Sequence, residues 1–132
     1  MLLRALGAQF VERFDVEKSV EDSARLVQCA RDGQSLFVFA EGTLTRAPGL
    51  MPFRMGAFQV AAQAGIPVVP IAITGTRSVL RDGSWFPHRG ALSVIASPPI
   101  VPKGSDWSAA VQIRDAVRAE ILRHCGEPDL AR

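Results

Sequence analysis

Ser35-Leu36-Phe37-Val38-Phe39-Ala40-Glu41-Gly42-Thr43 is the stretch on which the fold reading turns. From Leu36 to Ala40 every residue is apolar, and the chain then turns polar at once with a carboxylate, a glycine and a hydroxyl. A short continuous apolar run is the pattern of a strand covered on both faces, as in a parallel sheet. Gly42 permits a tight turn or a close approach of backbone to ligand. Glu41 and Thr43 are therefore expected just past the carboxyl end of a buried strand, the edge at which open α/β sheets bind ligands.

Upstream of this strand, Gln9-Phe10-Val11-Glu12-Arg13-Phe14 alternates polar and apolar and reads as a short strand. Ser19 is placed as an N-cap with Asp22 three residues on, and a helix is predicted from there to about Arg31. Val20, Ala24, Leu26, Val27 and Ala30 form its core face, and Gly33 closes it.

Downstream, a loop from Thr43 to Pro52 carries the turn signal Pro48-Gly49. A helix is predicted from about Phe53 to Ala64, with Phe58, Ala61 and Ala62 as its packing stripe and Gly65 as its end. Gly56 inside it would cost roughly 1 kcal/mol against Ala, which a close approach to the sheet or a ligand would explain. Ile66 to Ile73 reads as a second buried strand whose two prolines are awkward: Pro67 fits a strand start, Pro70 an edge or a bulge. Gly75 to Gly90 reads as a loop holding Trp85, Phe86, His88 and Arg89, suited to a lid, a membrane contact or plain packing. Ala91 to Ala96 is a third strand stopped by Pro98-Pro99. A last helix from about Asp106 to His124 places Trp107, Ala110, Ile113, Val117 and Ile121 on a core stripe. The order β-α-β-α-β-β-α predicts an α/β fold, a largely parallel or mixed sheet with flanking helices. It begins in mid-architecture, with no helix ahead of the first strand to cover that side.

Bulk numbers agree with one globular unit. The chain has 132 residues, 48% hydrophobic and 21% charged. A net charge of +2 and the absence of Tyr speak against nucleic acid as a partner. Nearly every cation is Arg, which suits bidentate contact with phosphate or carboxylate, although a GC-rich genome gives the same bias. Cys29 and Cys125 have no metal spacing and fall in predicted helices, as expected of idle thiols in a reducing compartment. The apolar stretch at Met1 is too short for a signal peptide, and no run reaches the length of a membrane span. The expected location is cytoplasmic, with peripheral contact at the inner membrane face left open.

Four blocks then give the chain a family likeness. Gly7, Phe10, Val11 and Arg13 match Gly-x-x-Phe-Ile-x-Arg with Val for Ile; Phe39, Glu41, Gly42 and Thr43 match Phe-Pro-Glu-Gly-Thr-Arg-Ser. Phe53-Arg54-Met55-Gly56-Ala57-Phe58 matches Phe-Lys-x-Gly-Ala-Phe, and Ile66-Pro67-Val68-Val69-Pro70-Ile71 matches Val-Pro-Ile-Val-Pro-Val. In this order and at these distances the sequence resembles the glycerolipid acyltransferases, with the lysophosphatidate acyltransferases as best-known members. The stretch from Glu41 to Arg46 and the ending His124-Cys125-Gly126-Glu127-Pro128-Asp129 look especially like bacterial modules of this family, some of them fused to acyl-ligase domains. Ala40 and Leu44 depart from the family's Pro and Arg, and Arg46, two residues further on an extended loop, is a substitute for that Arg. The family's catalytic Asn-His-x-x-x-x-Asp block belongs N-terminal to Gly7, where nothing matches. The resemblance therefore implies the C-terminal part of an acyltransferase domain from which the His–Asp pair is missing, inactive by itself.

Moving an acyl group from a thioester to a hydroxyl requires a base near neutral pKa, which a His oriented by an Asp supplies. It also requires donors for the oxyanion and cations or N–H groups for an anionic acceptor. By the resemblance the acyl donor is acyl-CoA or an acyl carrier protein thioester, and the acceptor a lysophospholipid or glycerol phosphate. No metal or redox cofactor is implied. Arg13, Arg46 and Arg54 would hold the acceptor phosphate beside Gly42 and Thr43. Glu41 would accept from Arg13, an acceptor hydroxyl or loop amides.

Each residue has a plainer reading: Glu41 as a carboxylate capping loop amides, Thr43 as a turn hydroxyl, and the arginines as solvated charges. His124 and Asp129 share the catalytic spacing by accident, on a helix tip and a tail expected to be free and exposed. His88 reads as a surface loop residue. The alternative to an enzyme part is a non-catalytic remnant that binds a phosphorylated lipid or a partner. In either case a partial domain is expected to expose an apolar sheet face, with self-association as the consequence.

Overall fold

The computed structural model describes residues 16–42, 48–80, 83 and 85–131, with side chains described from residue 21 onward. The predicted strand at 9–14 lies outside these residues. Helix α1 spans Val16–Arg31. Ser19, read as an N-cap, lies inside it, because the helix already begins at Val16. Val27 and Ala30 are buried as expected, whereas Ala24 is exposed. Helix α2 spans Gly56–Ala64 and ends at Gly65, whose amide bonds back into the last turn. Gly56 is thus its first residue rather than an interior one. A Cβ there would meet nothing within 4 Å, so no close approach explains the glycine.

Strand β1 spans Ile71–Thr74. The ladder begins only after Pro70, which has no N–H to give, is fully buried and accepts a 2.9 Å hydrogen bond from Ser97. Before it, Val68 makes an isolated antiparallel bridge with Ile100. A short helix, α3, spans Thr76–Val79 inside the segment expected to be a loop. Trp85, 94% exposed, and Phe86 stand out beyond it. Strand β2 spans Ser93–Ala96 and pairs antiparallel with β1, Ile71 opposite Ala96 and Thr74 opposite Ser93. The sheet expected to be largely parallel or mixed therefore shows an antiparallel pair among the described residues. Helix α4 spans Trp107–Cys125, and the Asp106 carboxylate caps it by accepting from the Ala109 amide at 3.0 Å. Trp107, predicted in the core, is 57% exposed. As the first residue of α4 it projects beyond the groove that Ala110, Ile113 and Val117 fill.

The core lies between α2 and α4. Phe58 and Ala62 of α2 meet Ala109, Ala110, Ile113 and Val117 of α4, and Leu50 and Phe53 close one end. Two alanines in succession on α4 leave room for the Phe53 and Phe58 rings, which lie nearly parallel with centroids 6.2 Å apart. Burying one such ring contributes about 2–3 kcal/mol. The run at 36–40 behaves differently. It pairs with no strand among the described residues, and Phe37 is 66% and Phe39 75% exposed, their rings edge to face. The expectation of burial on both faces is thus not met here: apolar side chains demand cover, but they do not supply the neighbouring strands that give it. Exposed apolar side chains occur among the described residues, Phe37 and Phe39 in this run and Val94 on β2. No helix among the described residues is long and apolar enough to cross a membrane.

Candidate functional site

The polar turn after the apolar run is built from its own backbone. Gly42 donates to the Phe39 carbonyl at 3.0 Å, closing a turn over 39–42. Its φ of 64° lies in the left-handed region that glycine adopts without strain. Glu41 is half-buried within the turn. The chain comes back alongside it at 50–54 and ties to it twice: Arg54 donates its amide to the Ala40 carbonyl at 2.8 Å, and Met51 donates its amide to Glu41 Oε2 at 2.9 Å. The carboxylate thus takes the loop-amide partner foreseen for it. A carboxylate accepting from an N–H makes a charge-assisted bond, which fixes its direction more firmly than a neutral contact would.

A second tier holds the returning segment. Leu50 donates its amide to the Pro128 carbonyl at 2.8 Å and accepts at its own carbonyl from the Leu130 amide at 3.1 Å. Leu50 and Asp129 form a parallel bridge. Gly49, at φ 134°, lies against Leu130 so closely that a Cβ would fall 2.3 Å from Leu130 Cδ1. The tail expected to be free is therefore docked. Asp129 is engaged by Arg118, not by His124, which faces Glu120 with 4.0 Å between Nε2 and Oε2. The accidental His–Asp spacing corresponds to no pair. Arg118, on α4, also donates to the Leu50 carbonyl at 3.0 Å and lies 5.3 Å from the centre of the Phe53 ring.

Of the residues singled out in the sequence, Glu41 and Gly42 share the turn, and Arg54 is joined to it through its backbone while its side chain is exposed. Arg13, Thr43 and Arg46 lie outside the described residues. His88 is an exposed loop residue, as expected. Both cysteines are free thiols, half-buried. Among the described residues no cluster of His, Cys, Asp or Glu could hold a metal ion. Sequence reading missed Arg118, the Leu50 carbonyl and the Met51 amide. Only Arg118 left a trace in the sequence, a charge directly after Val117 on the core stripe of α4.

The acyltransferase family model matches residues 1–74, a span that contains the Glu41 turn and α2. The chain belongs to the acyltransferase family. A chloroplastic 1-acyl-sn-glycerol-3-phosphate acyltransferase of Brassica napus is 35% identical to it over 102 residues, 76% of this chain and 30% of that protein. The 1-acyl-sn-glycerol-3-phosphate acyltransferase of Escherichia coli strain K12 is 34% identical over 91 residues, 69% of this chain and 33% of that one. In structure, this acyltransferase chain resembles the crystal structure of the 1-acyl-sn-glycerophosphate acyltransferase of Thermotoga maritima, with a TM-score of 0.75 and 24% identity. The match covers 93% of this chain and 48% of that one. That likeness confirms the α/β class and the family fold. The chain spans about a third of the length of these curated relatives.

Proposed function

We propose that this chain is the C-terminal part of a glycerolipid O-acyltransferase. It would transfer a fatty acyl group from acyl-CoA or an acyl carrier protein to a lysophospholipid or glycerol phosphate, lysophosphatidate being the acceptor that its relatives' names suggest. In that reaction the acceptor oxygen bonds to the thioester carbonyl carbon, the C–S bond breaks, the thiol leaves and the hydroxyl proton passes to a base. The base is assigned to a His–Asp pair outside this chain. This chain supplies the acceptor site: Glu41, held by Met51, orients the acceptor, with Gly42 and Thr43 beside it, and Arg13, Arg46 and Arg54 take the phosphate. The part of the domain that carries the base also covers residues 36–40.

The observation that carries this reading is Glu41 itself, within the span matched by the acyltransferase family model and fixed by a backbone donor in the turn over 39–42. Glu41→Gln in the full-length protein containing this chain is expected to raise the KM for lysophosphatidate about tenfold or more, the size of one charge-assisted hydrogen bond. The fold should be unchanged by circular dichroism. Thioester release over a small panel of lysolipids measures it, and an acceptor KM equal to that of the unsubstituted protein would refute the role.

A further inference from the structure

We propose that Arg118 and Asp129 form a positioning pair that sets the direction of the Glu41 carboxylate through one peptide plane. The inference rests on the acceptor-site reading of Glu41 and adds to it the group that controls its aim. The Leu50 carbonyl and the Met51 amide belong to the same peptide unit, which is planar and trans, so they point in opposite directions from one rigid plate. On one side the carbonyl accepts from Arg118 Nη2 at 3.0 Å and from the Leu130 amide at 3.1 Å. On the other the amide donates to Glu41 Oε2 at 2.9 Å. Rotating the plate would break bonds on both sides together. A cationic donor on the carbonyl also polarises the amide N–H, strengthening its bond to the carboxylate.

Arg118 is well placed for this. It is 9% exposed, and the Phe53 ring and Asp129 hold it. Its Nη1 is buried and makes no hydrogen bond among the described residues, so both of its bonds run through Nη2, to Leu50 and to Asp129. Asp129 thereby decides where the guanidinium sits and brings the tail into the site's second tier. Neither residue reaches the acceptor in this scheme. They are positioning residues, and their effect passes through Glu41.

The test uses the full-length protein. Asp129→Asn, a change at a half-exposed side chain, is expected to raise the acceptor KM about fivefold. The kcat and the KM for the acyl thioester should stay within about twofold, and Asp129→Glu should restore most of the loss. Hydrogen exchange over residues 49–54 should be faster in Asp129→Asn. Combined with Glu41→Gln, Asp129→Asn should add almost nothing to the acceptor KM, because in this scheme its effect on the acceptor passes through Glu41. Full additivity, or exchange as slow as in the unsubstituted protein, overturns the pair's role. Should Glu41→Gln alone leave the acceptor KM unchanged, the acceptor-site reading fails, and the exchange rate of the 49–54 segment still decides whether Asp129 holds the plate.

Discussion

Phe58 and Phe39 are the same residue in two opposite situations. Phe58 lies on α2, stacked on Phe53 and enclosed by α4, at 3% exposure. Phe39 lies in the unbroken apolar run from Leu36 to Ala40 and is 75% exposed. Hydrophobicity by itself therefore does not place a residue inside. Phe58 is buried because one helix supplies its stripe and a second, α4, distant in sequence and rich in alanine, supplies the groove. Phe39 needs strands on both edges and layers on both faces, and no strand pairs with its segment among the described residues.

Matched substitutions sharpen that contrast. Phe58→Ala is expected to lower the unfolding free energy by about 3–5 kcal/mol, from lost transfer energy and the cavity left behind, measured by urea titration. Between the two lies Gly56→Ala, expected to stabilise the chain by about 0.5–1 kcal/mol. The site is helical, its φ is not positive and a Cβ meets nothing within 4 Å. A destabilisation there would restore the close approach that the sequence suggested. The smallest effect belongs to Phe39→Ala, within about 0.5 kcal/mol of the unsubstituted chain. The same change should reduce self-association in sedimentation velocity, since it removes part of an exposed apolar face. A loss comparable to that of Phe58→Ala would mean that Phe39 is covered after all, and the contrast between the two regions would collapse.

The two regions also differ in how far the sequence disclosed them. Helix α4 was readable nearly to the residue, from about Asp106 to His124 against the observed Trp107–Cys125, because Ile113 and Val117 on its stripe are local signals. Trp107 was misplaced because periodicity gives a face and not a distance from the core. The start of β1 was displaced by Pro70, whose missing donor defers the ladder to Ile71. In the site, Glu41 and Gly42 were legible from the polar break after Ala40. The hold on Glu41 was not, since the Met51 amide and the Leu50 carbonyl are backbone groups common to every sequence.

From its sequence alone this chain declares its α/β class, its family, its helices and the acidic turn, because capping, periodicity and the order of the blocks are properties of neighbours along the chain. Tertiary structure alone decided that the tail docks, that Arg118 chooses Asp129 over solvent, and that one peptide links them to Glu41. Those contacts join residues as far apart as Leu50 and Leu130. A hydrogen bond at that separation exists only once packing has brought its donor within about 3 Å of its acceptor.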